Sequence, residues 1–240
     1  RIAEHHGAKT VGIVNVENST IAQECKNVIF TRAGKEVAVA TTKAYSAQLA
    51  AVYLLTLYLA GAANTLSQKA VAEYVDELKA VPDKIEQILS EPEKIKPFAD
   101  IADKSGYICF IGRGFDYCAA MEASLKLKEI SYIPCESYAA GELKHGTISL
   151  IDKDSLTVAL CCFKELQSKT LANINEVKAR NGKTVIVSDD GGDITIPKTK
   201  DIFVPMLEVI PMQLLAYYTA EKRGCPIDKP RNLAKSVTVE

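Results

Sequence analysis

The sequence predicts an α/β fold. Two parallel-sheet, three-layer units, the first truncated, are joined by a helical connector and followed by an irregular C-terminal tail. Three observations lead there. Short β-branched runs alternate with helical stretches in two separate blocks. Between the blocks, residues 67–103 are helical in pattern and rich in charge, with prolines at 82, 92 and 97. After Pro230 the chain has neither a helical nor a strand period.

In order, Val11–Val14 reads as a strand, Ser19–Cys25 as a short helix and Val28–Phe30 as a strand. Thr41 or Thr42 then stands as N-cap of a long apolar helix. The stretch 67–103 is expected to break at its three prolines, each of which lacks a backbone N–H. Beyond it come a strand at Tyr107–Gly112, a helix at Asp116–Tyr132 and a strand at Leu156–Cys161. A helix at Leu166–Arg180, strands at Thr184–Ser188 and Ile202–Val204, and a helix at Met212–Arg223 complete the series. Strands separated by helices form βαβ units, and hence a parallel sheet between helix layers. The divisions read as a first unit at 1–66, a connector at 67–93, a second unit at 94–230 and a tail at 231–240.

Composition narrows the function classes. The 240 residues are 48% hydrophobic and 25% charged, ordinary for a chain with a proper core. With 29 basic against 30 acidic residues, no strong field favours nucleic acid or an anionic membrane. The seven cysteines are odd in number and form no Cys-x-x-Cys pair. They read as buried reduced thiols of a cytosolic protein, with no disulfide frame and no metal site. The opening Arg1-Ile2-Ala3-Glu4 enters in mid-helix, as a fragment with an upstream part missing would. From Ala44 to Gln68 there is no charged residue, a length that reaches the membrane-spanning window. Ser46, Gln48, Thr56 and three tyrosines interrupt it, so a helix buried on most sides of an α/β protein is expected instead.

Three segments carry chemistry. Glu122, Lys126 and Glu129 are spaced four and then three residues apart and share one helix face, while Lys128 points elsewhere. The face is either a solvated ion-pair ladder or a catalytic group. Gly141-Glu142-Leu143-Lys144-His145-Gly146 has glycines at both ends and suits a loop that holds His145 rigidly. Gly112-Arg113-Gly114, between a strand and a helix, resembles a phosphate-binding turn. The dinucleotide pattern wants a third glycine where Tyr117 stands, which speaks against NAD; a tight turn is the default reading. A carboxylate, a histidine and lysines together form a set for carbonyl chemistry.

Leu125–Tyr132, Ala139–Gly146, Val39–Ala44 and the tail from Pro230 to Glu240 together closely resemble the isomerase part of the glucosamine-6-phosphate synthases, the isomerizing glutamine:fructose-6-phosphate aminotransferases. The resemblance implies two sugar isomerase (SIS) domains behind an N-terminal glutaminase domain. It also implies a reaction of fructose 6-phosphate with glutamine to give glucosamine 6-phosphate and glutamate, in a homodimer without a cofactor. By position, Lys235 is similar to the lysine that forms a Schiff base with the open-chain ketose. Glu129 is similar to the base that moves a proton between C1 and C2, and Lys126 to a polar aid near the sugar hydroxyls. His145 is similar to the residue that opens the ring, and in that family it reaches the site from the partner subunit. Val39, Thr41 and Ala234 match sugar-contacting positions, with Arg231 beside them in the tail. Thr41 stands where serine is common, and Pro134 and Thr147 also depart from some members. The family's phosphate-holding loops are expected upstream of Arg1, so this stretch alone is expected to be inactive. A related SIS isomerase or deglycase, or a non-catalytic sugar-phosphate-binding regulator, remains as an alternative.

Overall fold

The computed structural model describes residues 1–235; Ser236–Glu240, the end of the tail on which part of the resemblance rests, lie outside the described residues. The chain divides into two compact units, Arg1–Leu78 and Lys79–Glu240.

In the first unit, helix α1 (Ile2–His5) precedes strand β1 (Val11–Val14), helix α2 (Thr20–Glu24) and strand β2 (Asn27–Phe30). The strands pair in parallel, with Val11 opposite Asn27 and Val14 opposite Phe30. Ser19 caps α2 by accepting the Ala22 N–H at 3.3 Å. Asn15, just past β1, pins the segment that follows β2: its Oδ1 accepts from Ala33 N at 2.9 Å, and its Nδ2 donates to Gly34 O at 2.8 Å. Helix α3 (Lys43–Ala62) comes next. Thr42 occupies its N-cap position, but its side chain makes no capping hydrogen bond.

The expectation that this helix is buried on most sides is corrected. Only Ala44, Ala51 and Leu57 are buried, while Val52, Leu54, Tyr58 and Leu59 are exposed. The two-stranded sheet is too narrow to cover an apolar helix of this length. An apolar cavity of about 550 Å³, lined by Ile29, Phe30, Ala47, Ala51, Leu54 and Tyr58 among others, remains beside it.

Helix α4 (Gln68–Leu89) crosses the division between the units. It runs through Pro82, so the expected break there is not found. Apolar residues at Val71, Tyr74, Leu78, Val81, Ile85 and Ile88 recur at helical spacing on both sides of the proline. That stripe holds the helix together despite one missing N–H. Pro92 opens a 3-10 turn (Pro92–Ile95), and Pro97 sits in the first turn of α5 (Lys96–Asp103), where a missing N–H costs nothing.

The second unit continues with β3 (Tyr107–Gly112), α6 (Phe115–Ser131), β4 (Cys135–Ala139), β5 (Ser155–Leu160), α7 (Gln167–Lys178), β6 (Lys183–Ser188), β7 (Ile194–Thr195) and α8 (Val204–Lys222). Its five strands are all parallel, in the order β4-β3-β5-β6-β7. The chain leaves β3 for β4 on one side and leaves β5 for β6 on the other. The carboxyl ends of β3 and β5 therefore flank the crevice where open α/β sheets bind ligands. β5 is buried at every position, and Ile108–Ile111 of β3 are nearly inaccessible, as expected of a sheet covered on both faces.

Three elements differ from expectation. β4 was not anticipated, because Cys-Glu-Ser-Tyr-Ala lacks a β-branched run; pairing with β3 makes it a strand. The two-residue β7 was likewise missed. Ile202–Val204 is not a strand: Asp201–Phe203 form a 3-10 turn and α8 begins at Val204, eight residues before the predicted start. Every residue from Val204 to Met212 is buried, so this stretch is apolar nearly all round and shows no helical period. Pro205 occupies the first turn of α8, and Pro211 lies within it.

Candidate functional site

Helix α6 supplies the strongest arrangement. Its turn of entry is tight. A Cβ on Gly112 would fall 2.5 Å from the Asp116 backbone carbon, and Gly114 has φ +57. Ala119, Ala120, Ala123 and Leu127 seat the helix in the core and leave Glu122, Lys126 and Glu129 aligned on one face. Lys126 Nζ lies 2.7 Å from Glu129 Oε2 and 3.4 Å from Glu122 Oε1. The solvated-ladder alternative is corrected, for the Lys126 side chain is only 6% exposed. A lysine removed from water stays favourable when carboxylates neutralise it, and here two do so. Glu129 Oε2 is buried, and the Lys126 ammonium is its ion-pair partner. Glu129 keeps 21% of its side chain exposed, enough for a substrate to reach it. Burial raises the Glu122 carboxyl above the usual range, against the lowering effect of Lys126.

The helix ends at Tyr132, a left-handed residue with φ +61. Its hydroxyl accepts the Arg231 N–H at 2.8 Å, and the Arg231 guanidinium lies 4.2 Å from the ring centroid. The tail therefore starts beside the end of α6 that carries Glu129. Arg231, Ala234 and Lys235 are all exposed.

His145 closes a 3-10 turn (Ala140–His145) after β4; the expected loop is regular. Ala140 and Leu143 are fully buried and fix the turn from below. Lys144 pairs with Glu176 of α7 at 2.7 Å. Gly141 lets the Arg113 guanidinium pack close, since a Cβ there would fall 2.8 Å from Nη2. Arg113 Nη2 in turn donates to Asn173 Oδ1 at 3.0 Å. His145 itself is exposed.

Val39 and Thr41 belong to the first unit and are half-buried in the irregular stretch between β2 and α3. Lys126 and Glu129 are thus brought together, with Glu122 joining them, and Arg231 is docked at the same helix. Sequence reasoning left Glu122 and Tyr132 off the site. The spacing of four from Lys126 was the available signal for Glu122. Tyr132 had none, because its partner comes from the far end of the chain.

A second concentration of acids lies at the carboxyl ends of β3, β5 and β6. Asp116 is fully buried and accepts from Phe163 N at 2.9 Å and Cys162 N at 3.2 Å. Burial pushes its carboxyl up to about 6. Glu208 of α8 is also fully buried, and neither of its oxygens meets an N–H donor. Desolvation, with Asp116 beside it, lifts Glu208 well above the usual carboxylate range. A neutral Glu208 can give its proton to Asp116 as a hydrogen bond. The same surroundings push the Cys161 thiol up to about 12 and Cys162 higher still, by burial first. Lys164 and Asp189 form an ion pair at the rim. Phe163 stacks edge-on against Phe115 at 5.2 Å, and a Cβ on Gly114 would fall 2.7 Å from its ring. The Phe163 ring thus lies against one side of the Gly112-Arg113-Gly114 turn, in which Gly114 itself stays exposed.

Among the described residues no three His, Cys, Asp or Glu side chains are grouped to hold a metal. All seven cysteines are free; four are buried, but Cys25 and Cys225 are half-buried and Cys118 is exposed, which corrects the expectation of burial for those three.

The SIS domain family matches this chain at residues 1–58 and 101–220. The glutamine–fructose-6-phosphate aminotransferase (isomerizing) of Clostridium tetani is 46% identical over 249 aligned positions, covering all of this chain and 41% of that protein. The chain thus spans about two-fifths of the length of such relatives. Among solved structures, the C-terminal domain of glucosamine-fructose-6-phosphate aminotransferase from Francisella tularensis superposes with a TM-score of 0.89. It is 35% identical, over 95% of this chain and 68% of that one. Glucosamine-6-phosphate deaminase of Thermotoga maritima follows at 25% identity and a TM-score of 0.80, over 99% of this chain and 69% of that one. On these matches the chain belongs to the SIS-domain family, as the counterpart of the C-terminal isomerase region of the glutamine–fructose-6-phosphate aminotransferases.

Proposed function

We propose that this region carries out the sugar half of glucosamine 6-phosphate synthesis: Lys235 condenses with the open-chain ketone of fructose 6-phosphate with loss of water, ammonia displaces the lysine amine from the imine, and Glu129 moves a proton between C1 and C2. The observation that carries the reading is the shielded Glu122–Lys126–Glu129 row, with its outermost carboxylate still reachable and the tail of Lys235 docked at the same helix end. An iminium withdraws electrons more strongly than a ketone and acidifies the neighbouring C–H. A carboxylate partly withdrawn from water can then act as base near neutral pH. His145, exposed on a braced turn, is suited to ring opening in a neighbouring subunit. Val39, Thr41, Ala234 and Arg231 would line the sugar, and ammonia would come from an N-terminal glutaminase domain of the complete cytoplasmic protein.

Borohydride reduction of the complete protein in the presence of fructose 6-phosphate is expected to leave a stable adduct on Lys235. Absence of an adduct there would sink the reading and favour a sugar-phosphate-binding regulator. The likeness to a deaminase supports a second reading, release of ammonia from glucosamine 6-phosphate. An adduct accompanied by ammonia release but no glutamine-dependent synthesis would favour it.

A homodimer is part of the proposal, supported by the exposed apolar side of α3. Sedimentation at micromolar concentration is expected to give a dimer, and a clean monomer would count against it.

A further inference from the structure

Tyr132 stands where the backbone would favour another residue. Its φ of +61 puts it in the left-handed region at the end of α6, a position suited to glycine or asparagine and strained for a bulky side chain. What the tyrosine contributes there is its side chain. The hydroxyl accepts the Arg231 N–H at 2.8 Å, and the ring face takes the Arg231 guanidinium at 4.2 Å. Pro230, immediately before, is buried, whereas Leu233, Ala234 and Lys235 are exposed. Tyr132 and Pro230 thus hold the root of the tail, and Lys235 lies four residues beyond Arg231. Four residues extend at most about 14 Å, so the clamp confines the Lys235 Cα to a short radius around the helix end that carries Glu129.

We propose that Tyr132 is a positioning residue, a clamp that fixes the root of the tail on α6 and so sets where Lys235 meets the ketose relative to Glu129. The proposal rests on the reading of Lys235 as the Schiff-base lysine. Two contacts to one residue, a hydrogen bond to its backbone and a cation–π contact to its side chain, together restrict the tail by about tenfold or more. Preorganising a nucleophile acts on the covalent step more than on sugar binding, since Tyr132 is not itself assigned a substrate contact.

The test uses the complete protein with Tyr132→Asn, Tyr132→Phe and the wild type. Asparagine is at ease at positive φ, so that variant keeps the helix end while removing both contacts. Phenylalanine keeps the ring and loses only the acceptor. Two measurements are read together: amide exchange at Leu233 and Ala234 without substrate, and the rate of borohydride trapping at Lys235 with saturating fructose 6-phosphate. Tyr132→Asn is expected to speed exchange and slow trapping by about tenfold each, with KM within a factor of two or three, and Tyr132→Phe to fall between. Unchanged exchange and trapping in a Tyr132→Asn protein with a wild-type unfolding midpoint would overturn the clamp. If Tyr132→Asn does not fold, the Tyr132→Phe pair of measurements decides in the same way. If the wild type traps nothing on Lys235, the functional reading fails instead, and exchange alone decides whether the clamp exists.

Discussion

Replacing Glu129 by glutamine in the complete protein is expected to lower kcat for glucosamine 6-phosphate formation by about 10²–10⁴-fold with KM little changed. Glutamine preserves shape and loses only the ability to take and return a proton. The fold should tolerate the change, because Lys126 keeps Glu122 at 3.4 Å and is not left as an unpaired buried charge. Steady-state kinetics together with solvent-isotope exchange into the sugar check the result. A large rise in KM at constant kcat would make Glu129 a binding residue.

The buried acid pair at the other end of α6 is the basis of the second expected effect, on stability. Asp116→Ala should destabilise the second unit by about 2–4 kcal/mol, since the Cys162 and Phe163 N–H groups would lose their buried acceptor. The pair also makes stability depend on pH in a stated direction. Both carboxyls hold their protons more tightly folded than unfolded: Asp116 rises from 3.8 to about 6, and Glu208 lies well above 4.5. The folded chain therefore binds more protons than the unfolded chain once pH exceeds the unfolded values, and stability falls as pH rises. For Asp116 the loss runs from about pH 4 to 6, and for Glu208 it continues higher. Glu208→Gln imitates the protonated acid. Its thermal midpoint should equal or exceed the wild type at pH 8, with the advantage shrinking toward pH 5. Parallel curves for the two proteins across that range would remove the pair as the cause.

Much of this was legible in the sequence where periodicity is clean. β3, α6, β5, α7 and β6 lie within a residue or two of their predicted bounds, because short apolar runs alternate there with longer helical stretches. α8 was misread at its start for the opposite reason: a helix buried on every side has no polar face to reveal its period. β4 needed its neighbour to become a strand, and Pro82 was overruled by the apolar stripe on either side of it. At the site, spacing put Glu122, Lys126 and Glu129 on one face, but only packing could tell buried from solvated. The Tyr132–Arg231 and Asp116–Glu208 partnerships join distant segments, and no local pattern encodes them.

The buried acids beside the Gly112-Arg113-Gly114 turn give the second unit a chemical polarity of its own. Sheets of this order usually keep the mouth between diverging connections open to phosphorylated ligands. Here the chain has installed its own anion there: Asp116 takes the backbone donors offered by Cys162 and Phe163, and the Phe163 ring lies against Gly114. A sugar phosphate arriving at this mouth would find those two backbone donors already taken, with two buried acids behind them. This mouth is in effect self-liganded. Where such a framework elsewhere receives an anion, two of its donors here hold the chain's own carboxylate, while α6 presents Glu129 at its far end.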